Sequence, residues 1–118
     1  MGWISDFINF CVTENCQPDF ISSHIYEADP QDKVFQNNIH LPNDEVIPTA
    51  VSYIRDEIDH SALPDLPLFI TEWSSNNPAY ILTVINKCIG KAKILSYWIF
   101  DSTFEENGPV KGFGDSYC

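Results

Sequence analysis

Residues 68–73, Leu68-Phe69-Ile70-Thr71-Glu72-Trp73, decide the fold class. Leu66-Pro67 precedes this apolar run and Ser74-Ser75-Asn76-Asn77-Pro78 follows it, so turn-forming residues bound it on both sides. It reads as a short buried β-strand that ends in a carboxylate. Desolvating an acid at the end of an apolar strand costs free energy unless a partner or a ligand uses it. In parallel α/β sheets and barrels, binding and catalytic sites are built at the carboxyl ends of the strands. Taken alone, Glu72 is just as well the first polar residue after a strand. Its neighbours along the chain give it weight.

On the amino-terminal side, Asp19 to Tyr26 reads as another strand, with Phe20, Ser22, His24 and Tyr26 on one face and Ile21, Ser23 and Ile25 on the other. The first face becomes polar toward its carboxyl end, as a strand lining a polar pocket should. On the carboxyl-terminal side, Ile94 to Asp101 reads as a third strand, apolar on both faces and therefore buried. Helices separate the three. Residues 3–13 carry Trp3, Ile4, Phe7, Ile8 and Cys11 at helical spacing, and Asn15 to Pro18 ends that run. Residues 44–60 carry the stripe Ile47, Ala50, Val51, Ile54 and Ile58, with Asn43 or Asp44 as cap and Pro48 confined to the first turn. Asn77-Pro78 opens a third, strongly apolar helix that Gly90 closes. Glu27 to Asn43 reads as a long polar loop.

Alternation of helix and strand means βαβ units, a parallel sheet and right-handed crossovers. The expected class is α/β. No Gly-rich phosphate loop is present, which leaves a dinucleotide-binding reading without its fingerprint. A formal net charge of −11, with six Lys and Arg, argues against nucleic acid and against an anionic membrane surface. Neutral substrates such as sugars fit that charge. No apolar run approaches the ~18 residues of a membrane span, and Asp6 breaks the apolar start that a secretory signal would need. The four cysteines, Cys11, Cys16, Cys88 and Cys118, match no zinc-ligand spacing. Cys11 and Cys88 fall on apolar helix faces and read as buried free thiols. The sequence names no compartment.

Side by side, the three carboxyl ends bring together His24 and Tyr26, then Glu72 and Trp73, then Trp98 with Glu105 and Glu106 in the loop beyond. Sugar hydrolysis uses this mixture. Aromatic faces hold the pyranose, carboxylates bind its hydroxyls, and one carboxylate attacks the anomeric carbon.

The segments PDFISSHIY (18–26), LPLFITEW (66–73) and SYWIFDSTFEE (96–106) resemble consecutive segments of glycoside hydrolase family 39, which includes β-xylosidases and α-L-iduronidase. The resemblance runs from the first helix to Gly114. It implies a partial TIM (β/α)8 barrel of about three βα units, residues 1–118 being one partial catalytic domain that supplies the last three strands. It further implies that Glu72 is the nucleophile of a retaining mechanism. His24 and Tyr26 would line the sugar subsite, Trp98 would stack on the sugar, and Glu105 and Glu106 would bind its hydroxyls. Neither a metal nor an organic cofactor is implied, and the substrate would be a glycoside.

The sequence departs from the family pattern at one decisive place. The family's acid/base is the Glu of an Asn-Glu pair, and this chain holds no Asn-Glu. A whole barrel takes about 250 residues. The chain is therefore expected to be nearly inactive alone, its open sheet edges covered by the missing barrel half or by a second copy. The alternative is a non-catalytic half-barrel that binds sugars or a partner.

Overall fold

A computed structural model describes residues 3–35, 40–75 and 77–98. In chain order the elements are α1 (Trp3–Thr13), β1 (Ile21–His24), α2 (Gln31–Phe35), α3 (Asn43–Asp59), β2 (Leu68–Trp73), α4 (Pro78–Cys88) and β3 (Ile94–Tyr97). The strands form one parallel sheet in the order β1-β2-β3. This is the α/β arrangement expected from the alternation, with β2 in the middle.

The helices cover one face of the sheet. Ile4 and Ile8 of α1, Val46, Ile47, Ala50, Val51, Ile54 and Ile58 of α3, and Tyr80, Val84 and Cys88 of α4 join Ile21, Leu68, Ile70 and Trp73 of the strands in a single core. The other face has no such cover among the described residues. Phe20 stacks on Phe69 there at 4.6 Å and is itself exposed, as are Ile94 and Trp98. The expectation that β3 is buried on both faces is therefore corrected. Leu95 and Tyr97 pack on the core, while Ile94 and Ser96 point to the uncovered side.

Local chemistry explains where the elements stop. Asn15, at φ 53°, takes the left-handed conformation after α1, and the Cys16 N–H returns to the Cys11 carbonyl at 2.9 Å. This six-to-one bond satisfies one of the orphan carbonyls at the helix end. At α4, the Asn77 side chain accepts from the Ala79 and Tyr80 N–H groups and Pro78 occupies the first turn, as the sequence predicts. Gly90, at φ 79°, follows the helix.

Two details differ from expectation. The polar stretch after β1 contains the short helix α2, because Phe35 finds a place in the core. Gln31 there clamps Leu41, donating to its carbonyl and accepting from its N–H. Helix α3 begins at Asn43 with Pro42 as an N-cap that has no side-chain bond, so Pro48 lies in the second turn and not the first. Pro48 removes the N–H that would bond to the Asp44 carbonyl. The residue stays because it is buried on the core face.

Beyond α3, the Arg55 guanidinium binds the Leu66 and Pro64 carbonyls, each at 2.8 Å, while its Nε pairs with Asp59. This pins the loop that feeds β2. Lys87 of α4 pairs with Glu45 of α3 across the helix layer.

Two substitutions separate core from cap. Ile70→Ala is expected to lower the stability of the chain by about 2–5 kcal/mol, and Asn77→Ala by about 1 kcal/mol. Urea unfolding followed by circular dichroism reads both, and equal losses would contradict this account.

Candidate active site

The site lies at the carboxyl ends of β1 and β2. Strict alternation from Leu68 and Ile70, both buried against the helices, would turn Glu72 toward the helices as well. An irregularity prevents this. Ser23 pairs with Ile70 but His24 pairs with Glu72, and on the other side Ile70 pairs with Leu95 while Trp73 pairs with Tyr97. Strand β2 thus carries one extra residue relative to both neighbours, and in the pairing with β1 the residue passed over is Thr71. Its hydroxyl reaches the Ser23 carbonyl at 3.5 Å. A bulge of this kind re-aims the side chains after it. Trp73 turns into the core and Glu72 is freed to meet residues of β1.

Tyr26 donates its phenol O–H to Glu72 Oε2 at 2.7 Å, a charge-assisted bond. His24 Nδ1 lies 3.4 Å from the same oxygen. Among the described residues no hydrogen bond reaches Oε1, which leaves one oxygen of the carboxylate held and the other available. Burial, then the bond to Glu72, then the nearby charges of Glu72 and Asp29 push the Tyr26 phenol up to about 12. It therefore stays a donor throughout the neutral range.

The floor behind the carboxylate is packed. Trp73 is fully buried and meets Tyr97 edge-on at 5.4 Å. The Tyr97 hydroxyl donates to the Ser75 carbonyl at 2.7 Å, tying the segment after Glu72 to β3. The Trp98 N–H donates to the Trp73 carbonyl at 2.7 Å, and the Trp98 side chain is 49 % exposed. The structure therefore brings His24, Tyr26 and Glu72 into contact and sets Trp98 beside the strand that carries Glu72. Glu105 and Glu106 lie outside the described residues.

The sequence does not single out Asp29, whose Oδ2 accepts the Tyr26 N–H at 2.9 Å. An acid in a polar loop carries no pattern to single it out. Among the described residues, no group of three or more His, Cys, Asp or Glu is arranged to hold a metal ion.

Comparison with known proteins gives the family of the chain. The sequence profile of glycosyl hydrolases family 39 matches residues 1–113. The chain belongs to glycosyl hydrolases family 39. A family relative, the β-xylosidase of Geobacillus stearothermophilus, is 31% identical over 95% of this chain and 26% of its own length. The family 39 enzyme of Xanthomonas axonopodis pv. citri superposes with a TM-score of 0.71 at 28% identity, over 90% of this chain and 24% of that one. A family 39 β-xylosidase of Caulobacter crescentus superposes with a TM-score of 0.67 at 25% identity, over 90% and 23%. The chain spans about a quarter of the length of these relatives. Its open sheet is a part of the family 39 TIM barrel.

The raised phenols have a consequence at alkaline pH. Tyr26 and Tyr80 are both pushed from 10.0 to about 12, burial being the first cause in each. A group that holds its proton more tightly when folded stabilises the fold below its unfolded pKa. That contribution is lost as pH rises through the folded pKa. Stability is therefore expected to fall between pH 10 and about 12, and Tyr26→Phe to make the fall shallower. Urea midpoints measured across that range test this, and an unchanged slope in Tyr26→Phe would refute it.

Proposed function

We propose that this chain supplies the nucleophile half of a retaining β-glycosidase of the β-xylosidase type, with Glu72 as the nucleophile. The observation that carries the reading is the carboxylate of Glu72, engaged at Oε2 by Tyr26 and approached there by His24, at the carboxyl edge of a parallel sheet. A nucleophilic carboxylate must be fixed, and a bond from a phenol to one of its oxygens holds it in place. Oε1 would attack the anomeric carbon as the glycosidic C–O bond breaks. The leaving oxygen would take its proton from a second carboxyl group. Water, giving a proton back to that group, would then cleave the glycosyl ester. His24, Tyr26 and Trp98 would line the sugar subsite, and Glu105 and Glu106 would bind hydroxyls.

The second carboxyl group belongs, in this reading, to barrel strands outside the sequence. Three uncovered apolar surfaces support this. Phe20, Phe69, Ile94 and Trp98 lie on the free face of the sheet, Trp3, Phe7 and Phe10 on the outside of α1, and Leu82, Ile85 and Ile89 on or just after α4. Neighbouring apolar side chains left free together mark an interaction site. These three are where the interior, the preceding unit and the following unit of a barrel would stand. Residues 1–118 would thus be one partial catalytic domain acting on a carbohydrate substrate. The absence of an Asn-Glu pair favours a second reading, a non-catalytic half-barrel that binds sugar or pairs with a partner or a second copy.

An activated 2-fluoro-xyloside separates the two. In the natural product that contains this sequence, the proposal expects turnover of an aryl β-xyloside, its abolition by Glu72→Gln, and a covalent label on Glu72 in peptide mass spectra. The 118-residue chain alone is expected to turn over little. Turnover unaffected by Glu72→Gln, or a label on another residue, would overturn the assignment.

A further inference from the structure

Tyr26 stands beyond the end of its strand. The last bond from this strand to β2 runs from the Ile25 N–H to the Glu72 carbonyl at 3.1 Å. In a parallel strand the N–H and C=O of successive residues point to opposite neighbours. Those of Tyr26, past the end of β1, bond to Asp29 and not to β2. Asp29 satisfies both. Its Oδ2 accepts the Tyr26 N–H at 2.9 Å, and its own N–H donates to the Tyr26 carbonyl at 3.1 Å.

We propose that Asp29 is the positioning residue for Tyr26, its carboxylate fixing the main chain from which the phenol reaches Glu72. The inference rests on the reading of Glu72 as nucleophile only for its importance to catalysis. The geometry itself is independent of that reading. Two rotations, about χ1 and χ2, separate the Tyr26 main chain from its hydroxyl. A small error at the main chain is carried by the long ring to the 2.7 Å bond at its far end. A turn closed only by the Asp29 N–H leaves the Tyr26 N–H without its acceptor, and an orphaned, half-buried N–H draws the turn toward water. Among the described residues, the charges that act on the phenol are those of Glu72 and Asp29, and His24 meets the same Glu72 oxygen.

The test labels the tyrosines with 13C at Cζ and follows ionisation of Tyr26, assigned by its loss in Tyr26→Phe. At pH 11 a phenol with a pKa of about 12 stays about nine-tenths protonated, and one near 10 only about one-tenth. Tyr80, also held to about 12, reports whether the fold is intact. Asp29→Ala is expected to raise the ionised fraction of Tyr26 at pH 11 while that of Tyr80 stays as it was. Asp29→Asn, which keeps an acceptor for the N–H and removes the charge, is expected to leave most of Tyr26 protonated. Tyr26 unmoved in Asp29→Ala would overturn the proposal. So would Asp29→Asn ionising Tyr26 with Tyr80 unmoved, since charge alone would then be at work, and this second arm decides the matter even if Asp29→Ala does not fold. Loss of the nucleophile assignment shows instead in the covalent label, with the titration unaffected.

Discussion

One extra residue in the central strand determines what this chain presents to solvent. Without the bulge at Thr71, the period of two would send Glu72 into the helix layer and Trp73 out of it. A carboxylate would then be buried among Ile, Val and Cys side chains, and the largest apolar ring of the sheet would be exposed. The bulge avoids both costs at once. The contact with Tyr26 and His24 depends on it, and so does the edge-on packing of Trp73 against Tyr97.

The second organising fact is the imbalance between the two faces of the sheet. Burial on the helix side is thorough, with Ile47, Ile54, Ile58, Leu68 and Ile70 all fully enclosed. The opposite side keeps Phe20 and Phe69 stacked together in the open. Parallel sheets are ordinarily covered on both faces. A barrel is the arrangement in which the inner face of each strand is covered by the other strands, and three of its eight strands alone leave that face bare.

Much of this was legible in the residues. The helix stripe Ile47, Ala50, Val51, Ile54 and Ile58, the cap at Asn77 and the parallel alternation all follow from spacing and turn chemistry, and the structure shows each. The meeting of His24, Tyr26 and Glu72 was legible too, because parallel strands put their carboxyl ends together. The bulge was not, since Thr71 is an ordinary strand residue and pairing register is a property of three strands at once. Nor was the exposure of β3, because an apolar strand reads as buried whether or not the chain supplies what buries it. The helix α2 was hidden by its polar start, and only the core contact of Phe35 explains it. Asp29 was illegible for a related reason: its value lies in the direction in which the Tyr26 N–H points.

The Arg55 clamp joins two of these elements through a short stretch of chain. The guanidinium reaches carbonyls only nine and eleven residues further along the chain. Closing so short a loop costs little chain entropy, and neither β1 nor β3 is required for it. The helix-to-strand connection from α3 to β2 is therefore fixed by a contact local in sequence. The amino-terminal end of β2 is tied to α3 in this way, while the additional residue is absorbed at the other end, beyond Ile70.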